Sequence, residues 1–193
     1  MKHMKHLMQF MIIINFLWCG VQGKEATSPK IKSTQIPAAA FTLTSAAFNH
    51  NEKIPSKYTG DGENISPHLQ WSNPPAGTKS YALVMQDPDA EEKAFVHWLI
   101  FNIPSTVTEL AEGTPTKGFV SGTTDFYYTK HGVWLYGGPY PPTGTHHYHF
   151  TLYAIDTMLE LSQDAEKSDL VKAMEGHVLA QATLVGLYER KGA

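Results

Sequence analysis

The chain has 193 residues, 42 % hydrophobic and 17 % charged, a balance that excludes a disordered or fibrous polypeptide and makes one globular domain the default. Lys and Arg number 15 against 18 Asp and Glu, a formal net charge of −3, and no basic run is present, which excludes a nucleic-acid binder acting by phosphate neutralisation. Cys19 is the only cysteine, so the body of the chain has neither a disulfide framework nor a thiol nucleophile.

Residues 1–23 have the layout of a secretory signal peptide. Lys2 and Lys5 precede an apolar run from Leu7 to Trp18, interrupted by Gln9 and Asn15 and too short to span a bilayer comfortably, and small residues follow. Cleavage is expected before Lys24, with Ala26 the fallback; acylation of Cys19 is disfavoured by the bulky Trp18 in front of it. Removing the leader takes away two lysines and no acid, so the remainder becomes more acidic. Residues 24–40 are polar, carry two prolines and read as a flexible arm, which leaves 41–193 as the domain. Nothing after residue 23 is long and apolar enough to cross a membrane as a helix.

Within the domain, Phe41 to Phe48 alternates apolar and hydroxyl residues and predicts a half-buried strand. The stretch Tyr58 to Pro67 is so dense in Gly, Asp, Asn, Ser and Pro that it must be built of turns, and such loops often border sites. Leu69 to Ser72 is a short strand. Ser80 to Gln86 and Ala94 to Ile103 are near-continuous apolar runs joined by a charged tip, which predicts an antiparallel pair buried on both faces. Thr106 to Gly132 is loop-rich, and His147 to Ile155 is a further strand. A helix is expected from Ser168 or Asp169 to about Gln181, with Leu170, Met174 and Val178 on one stripe, followed by a closing strand from Ala182 to Arg190. Many strands followed by one or two late helices, with no alternating strand and helix units, predict a mainly β, antiparallel β-sandwich with a peripheral C-terminal helix.

The residues able to carry chemistry lie at the strand ends. Asp87 and Asp89 flank Pro88; in extended chain i and i+2 face the same way, so the two carboxylates could converge, or each could cap local backbone. His97 is an imidazole inside an apolar strand and needs a partner, for which Asp87 is a candidate, although a lone strand histidine is more often a satisfied core residue. In His146-His147-Tyr148-His149 alternation puts His146, Tyr148 and Phe150 on one face and His147 and His149 on the other, so at most His146 shares a pocket with Tyr148. The turn from Gly137 to Gly144 holds Pro139, Pro141 and Pro142 and reads as a rigid wall or a stiffened hairpin. A metal site from His97, His146 and Asp87 is available by residue type only. No nucleophile elbow, P-loop, dinucleotide fingerprint or zinc-protease helix is present, so no catalytic residue, metal or cofactor is assigned.

Asp87-Pro88-Asp89-Ala90, His97-Trp98 leading to Asn102-Ile103-Pro104, and Gly138-Pro139-Tyr140-Pro141-Pro142-Thr143-Gly144-Thr145-His146-His147-Tyr148 resemble, in order and separation, the signature segments of the phosphatidylethanolamine-binding protein family. Asp61 to Pro67 and Leu184 to Arg190 resemble its bacterial branch, often called Raf kinase inhibitor-like proteins, and the resemblance covers roughly residues 41–190. It implies a sandwich of antiparallel sheets and a small pocket for phosphate-like or carboxylate anions, built from Asp87, Asp89, His97, His146 and Tyr148 with Gly138 and Pro139 supplying backbone. It also implies a protonated imidazole that holds the anion while Asp87 orients the ring of His97. His147 stands where the family commonly has Arg, Ala90-Glu91 where it has Ala-Pro, and Tyr140 where bacterial relatives often have Cys; Glu91 and Glu92 add negative charge at the rim. The expected function is an exported, non-enzymatic binding protein for a small anion. Two alternatives stand: a protein-interaction or inhibitor role resting on loops such as Thr106 to Gly132, and a metal-dependent hydrolase.

Overall fold

The computed structural model describes residues 39–114, 119–126 and 136–190. The expected leader (1–23), most of the expected arm (24–38), and segments 115–118 and 127–135 of the loop-rich stretch lie outside the described residues. Strands run β1 Thr42–Thr44, β2 Glu52–Lys53, β3 Leu69–Ser72, β4 Ser80–Asp87, β5 Phe95–Pro104, β6 Glu109–Leu110, β7 Val120–Ser121, β8 Thr145–Ile155 and β9 Val178–Glu189, with one α-helix among the described residues, α1 Lys167–Met174. Among the described residues no helix is long and apolar enough to cross a membrane.

Two sheets form. The smaller has order β1-β3-β6 and the larger β2-β9-β8-β4-β5-β7; every pairing is antiparallel except the short parallel contact of β2 with β9. Period-two alternation divides the central strands between two cores. Tyr81, Leu83 and Met85 of β4, with Tyr148, Phe150 and Leu152 of β8, pack against Leu43, Leu69 and Trp71 of the small sheet. Ala82 and Val84, with Leu99 and Phe101 of β5, face the other way and are covered by Leu159, Ala165, Leu170 and Met174. The continuous apolar run of β4 is thus explained by burial on both faces, each large side chain contributing about 1.5–3 kcal/mol. The result is the mainly β, two-sheet architecture expected from the sequence, with the helix at one side.

Two expected elements differ. The strand predicted over Phe41 to Phe48 stops at Thr44, because Ser45 turns its hydroxyl onto the His68 carbonyl at 2.5 Å and accepts the Ala47 N–H at 3.0 Å, drawing the chain out of the ladder. The helix predicted to reach Gln181 ends at Met174. Its cap is Glu166 rather than Ser168 or Asp169, with Asp169 reciprocating in a capping box. Gly176, at φ +78°, breaks the helical path, and Val178 onward pairs with β8 from Ile155, so the closing strand starts four residues earlier than expected.

The β4–β5 pairing is irregular at two places. Between Leu83↔Ile100 and Tyr81↔Ile103 the register slips, and Asn102 takes φ +57° there; its side chain bonds both the carbonyl and the N–H of Leu159, at 2.9 and 2.8 Å, tying the cover of the second core to the sheet. Between Met85↔Trp98 and Gln86↔Val96 it slips again, and the extra residue is His97.

Candidate functional site

His97 leaves the strand pairing as the bulged residue of β5, and a bulge is a device for re-aiming a side chain. Its neighbours Trp98 and Leu99 go to the two cores, while its ring enters a wall made by Phe95 at 5.0 Å, Phe126 at 5.2 Å and Tyr148 at 5.2 Å between ring centres. Nδ1 of His97 donates to the Gly137 carbonyl at 2.8 Å, and the Gly137 N–H donates back to the His97 carbonyl at 3.0 Å. The residue is 5 % exposed, and burial pushes its pKa down to about 4 against the opposing pull of the Gly137 carbonyl and the Asp87 and Asp125 carboxylates.

Asp87 ends β4 beside the start of β8. Its Oδ2 accepts from Nδ1 of His146 at 2.7 Å, and both residues are buried. Its Oδ1 accepts the Asp89 N–H at 2.9 Å, so the chain turns over Pro88 instead of running on extended. That turn defeats the expected convergence of the two carboxylates: Asp89 points outward, where its Oδ2 accepts both the N–H and Nδ1–H of His147 at 2.8 Å. The His147 contact holds the exposed Asp89 carboxyl below its usual range. The Asp-Pro-Asp turn therefore grips two successive histidines of β8 on opposite faces. A second correction concerns the partner of Asp87: it orients the ring of His146, while His97 is held by the Gly137 carbonyl, where burial opposes its protonation.

Tyr148 is fully buried beside Asp87, and burial first, then the Asp87 charge, pushes its phenol far above the usual range, so it stays a neutral donor. These groups meet in a cavity of about 470 Å³, lined by Asp87, His97, His146 and Tyr148 at its polar end, by Phe95, Phe126, Tyr140, Pro141 and Pro142 along its walls, and by Glu91, Glu92, Lys93 and Asp125. Lys93 pairs with Asp125 at 2.8 Å, and Asp125 also accepts the Val96 N–H at 2.7 Å. Tyr140 is half exposed at the rim, with the Arg190 guanidinium 3.7 Å from its ring centre.

Gly138 and Pro139 sit behind the wall. The Gly138 N–H donates to Oδ1 of Asn64 at 2.7 Å, Pro139 accepts from the Gly60 N–H at 2.9 Å, and the Tyr136 hydroxyl donates to the Tyr58 carbonyl at 2.6 Å. A Cβ on Gly138 would lie 2.6 Å from the Tyr58 carbonyl oxygen and 2.7 Å from Cα of Thr59, both backbone atoms. Gly138→Ala is expected to destabilise by about 1–3 kcal/mol, read as a lower urea midpoint with unchanged slope; a midpoint within error of wild type would contradict the tight seam. Sequence reasoning missed Asn64, Phe126 and Asp125. Asn64 had a signal, since Asn tolerates the left-handed backbone it adopts at φ +56° in a loop already suspected of bordering a site; Phe126 and Asp125 had none.

Among the described residues no group of three or more His, Cys, Asp or Glu side chains is gathered to hold a metal ion. Residues 44–189 match the family model described as phosphatidylethanolamine-binding protein. The chain belongs to the phosphatidylethanolamine-binding protein family. Its relatives in that family include a UPF0098 protein of Methanothermobacter thermautotrophicus, 50 % identical over 150 residues, 78 % of this chain and 99 % of the relative. A UPF0098 protein of Pyrococcus horikoshii is 39 % identical over 200 residues, covering 99 % of this chain and 91 % of the relative. Among solved structures, a phosphatidylethanolamine-binding protein homologue from Chlamydia trachomatis superposes with a TM-score of 0.72 at 36 % identity, over 79 % of this chain and 99 % of its own. The Escherichia coli protein YbcL, described as a member of the mammalian family, gives 0.71 at 32 % identity, over 79 % of this chain and all of its own. Membership of the family makes this chain a binding protein of its two-sheet fold.

Proposed function

We propose that the chain is an exported, non-catalytic binding protein that holds a small phosphate- or carboxylate-headed ligand in the Asp87–His97–His146–Tyr148 cavity. The observation that carries this reading is the buried Asp87–His146 pair at the polar end of an aromatic-walled cavity of about 470 Å³. With Nδ1 committed to Asp87, His146 has its other ring nitrogen left for a ligand, and the Tyr148 hydroxyl lines the same end; hydrogen bonds to a charged head contribute about 1.5–3 kcal/mol each. Export is supported by the leader pattern of residues 1–23.

The test is calorimetric titration of residues 24–193 with inorganic phosphate and phosphoethanolamine at pH 6 and pH 8. Saturable heat that is lost in a folded His146→Gln variant is expected. No heat from either ligand, with the protein folded, would sink the reading. The chain recovered after secretion is expected to have the intact mass of a polypeptide starting at Lys24.

A further inference from the structure

We propose that His147 and His149, on the outward face of β8, form a two-histidine chelate for a late first-row divalent metal ion, Cu²⁺ foremost, separate from the cavity. The order His-Tyr-His sets the two rings two residues apart, and period-two alternation keeps both on the face opposite Tyr148. Tyr148 is fully buried, whereas the His147 side chain is half exposed and His149 is partly exposed, so the pair faces away from the cavity that Tyr148 lines. In extended chain such residues lie about 7 Å apart along the strand, close enough for two imidazoles to converge on one ion at about 2.0–2.1 Å from each ring nitrogen. His147 stands where the family commonly has Arg, a side chain with no lone pair to offer a metal, so the pair is a property of this chain.

The tautomer of His147 is fixed by its neighbour. Its Nδ1–H donates to Oδ2 of Asp89 at 2.8 Å, and the same oxygen accepts the His147 backbone N–H at 2.8 Å, so in the neutral ring Nε2 is the nitrogen that carries the lone pair. A carboxylate on the far nitrogen is the usual partner of a metal-bound imidazole, where it fixes the ring and raises its basicity. Among the described residues none hydrogen-bonds the ring of His149, which leaves both its nitrogens uncommitted. The charge around the pair is mixed: Asp89 touches His147, Glu189 lies opposite Thr145 one pleat along the same face, and Lys167 reaches Gln86, the residue paired with His149. Two imidazoles with water in the remaining positions make a nitrogen and oxygen set that suits tetragonal Cu²⁺ and ranks Ni²⁺ and Zn²⁺ below it. With two protein ligands and not three, the site is an open surface chelate, in keeping with the lack of any larger ligand cluster among the described residues.

The experiment is calorimetric titration of the chain recovered after secretion with copper(II) chloride at pH 7 in a non-coordinating buffer, beside His147→Arg and His149→Gln, both changes on the outward face. Wild-type protein is expected to take up one equivalent at least tenfold more tightly than either variant, because a single ring has lost the chelate. Asp89→Ala, which removes the carboxylate from the far nitrogen of His147, is expected to weaken uptake by about tenfold or more. In ¹⁵N-histidine-labelled wild type, Zn²⁺ should shift Nε2 of His147 and one ring nitrogen of His149 together while Nδ1 of His147 keeps its proton, a readout that needs no variant. The absence of saturable copper uptake, or uptake equally tight in both histidine variants, would overturn the proposal. Zinc shifts confined to other histidines would overturn it as well, and all of these results are independent of what the cavity on the opposite face holds.

Discussion

Asp87→Ala is expected to be the most damaging single change at the site, lowering stability by about 1–3 kcal/mol for each buried N–H it leaves without an acceptor. The carboxylate is 4 % exposed, accepts from Nδ1 of His146 at 2.7 Å and from the Asp89 N–H at 2.9 Å, and lies beside the Tyr148 phenol. Removing it strands the buried His146 ring and releases the turn that presents Glu91 and Glu92. Asp87→Asn keeps an acceptor oxygen for only one of the two N–H groups and turns an amide donor toward the other, so it should cost less than alanine while still weakening ligand binding. Urea unfolding of the two variants decides the matter. Equal and small losses in both would mean that the pair contributes little and that the fold holds the turn without it.

Acid should destabilise the protein through His97. Its folded pKa, about 4, lies below the ordinary imidazole value of 6.5, so the unfolded chain binds a proton that the folded chain refuses. The contribution is fully present above about pH 6.5 and is lost as pH falls toward 4, by about 3 kcal/mol in all at roughly 1.4 kcal/mol per pKa unit. Asp89 acts in a lower window: its depressed carboxyl pKa favours the folded state above the unfolded value, and that benefit disappears as the pH falls through the folded value. The two are separable by a His97→Gln variant, whose amide can still donate to the Gly137 carbonyl. Its stability should be flatter than wild type between pH 6.5 and 4 and parallel to it below. A wild-type profile already flat across that window would show that the imidazole charges freely in place.

The sequence is legible where the forces that shape the chain act locally. The strands β3, β4, β5 and β8 were found nearly at their true bounds because burial on one or both faces writes a strict pattern. Alternation alone also separated His146 and Tyr148 from His147 and His149, and β8 buries the first two. The failures lie where a side chain overrides the pattern. Ser45 ended β1, Gly176 ended α1, and Asp87 bent the Asp-Pro-Asp segment by accepting its neighbour's N–H. The wrong partner for Asp87 has the same origin. Residue type made His97 and His146 equal candidates, and only the extra residue in β5, invisible to any periodicity, turned His97 toward Gly137. Asn64, 74 positions from Gly138, could be suspected from its loop but not assigned to that turn.

The bulge at His97 means that the place of the imidazole is fixed by a count of residues rather than by chemistry at position 97. On either side of it β4 and β5 keep pairing, so the sheet behaves as two ladders spliced one step out of phase. Deleting Val96 or inserting a residue beside Gln86 would bring the ladders back into phase and rotate the ring out of the wall, with composition almost unchanged. A drift in strand length of one residue is therefore a larger functional event for this fold than most substitutions inside the cavity.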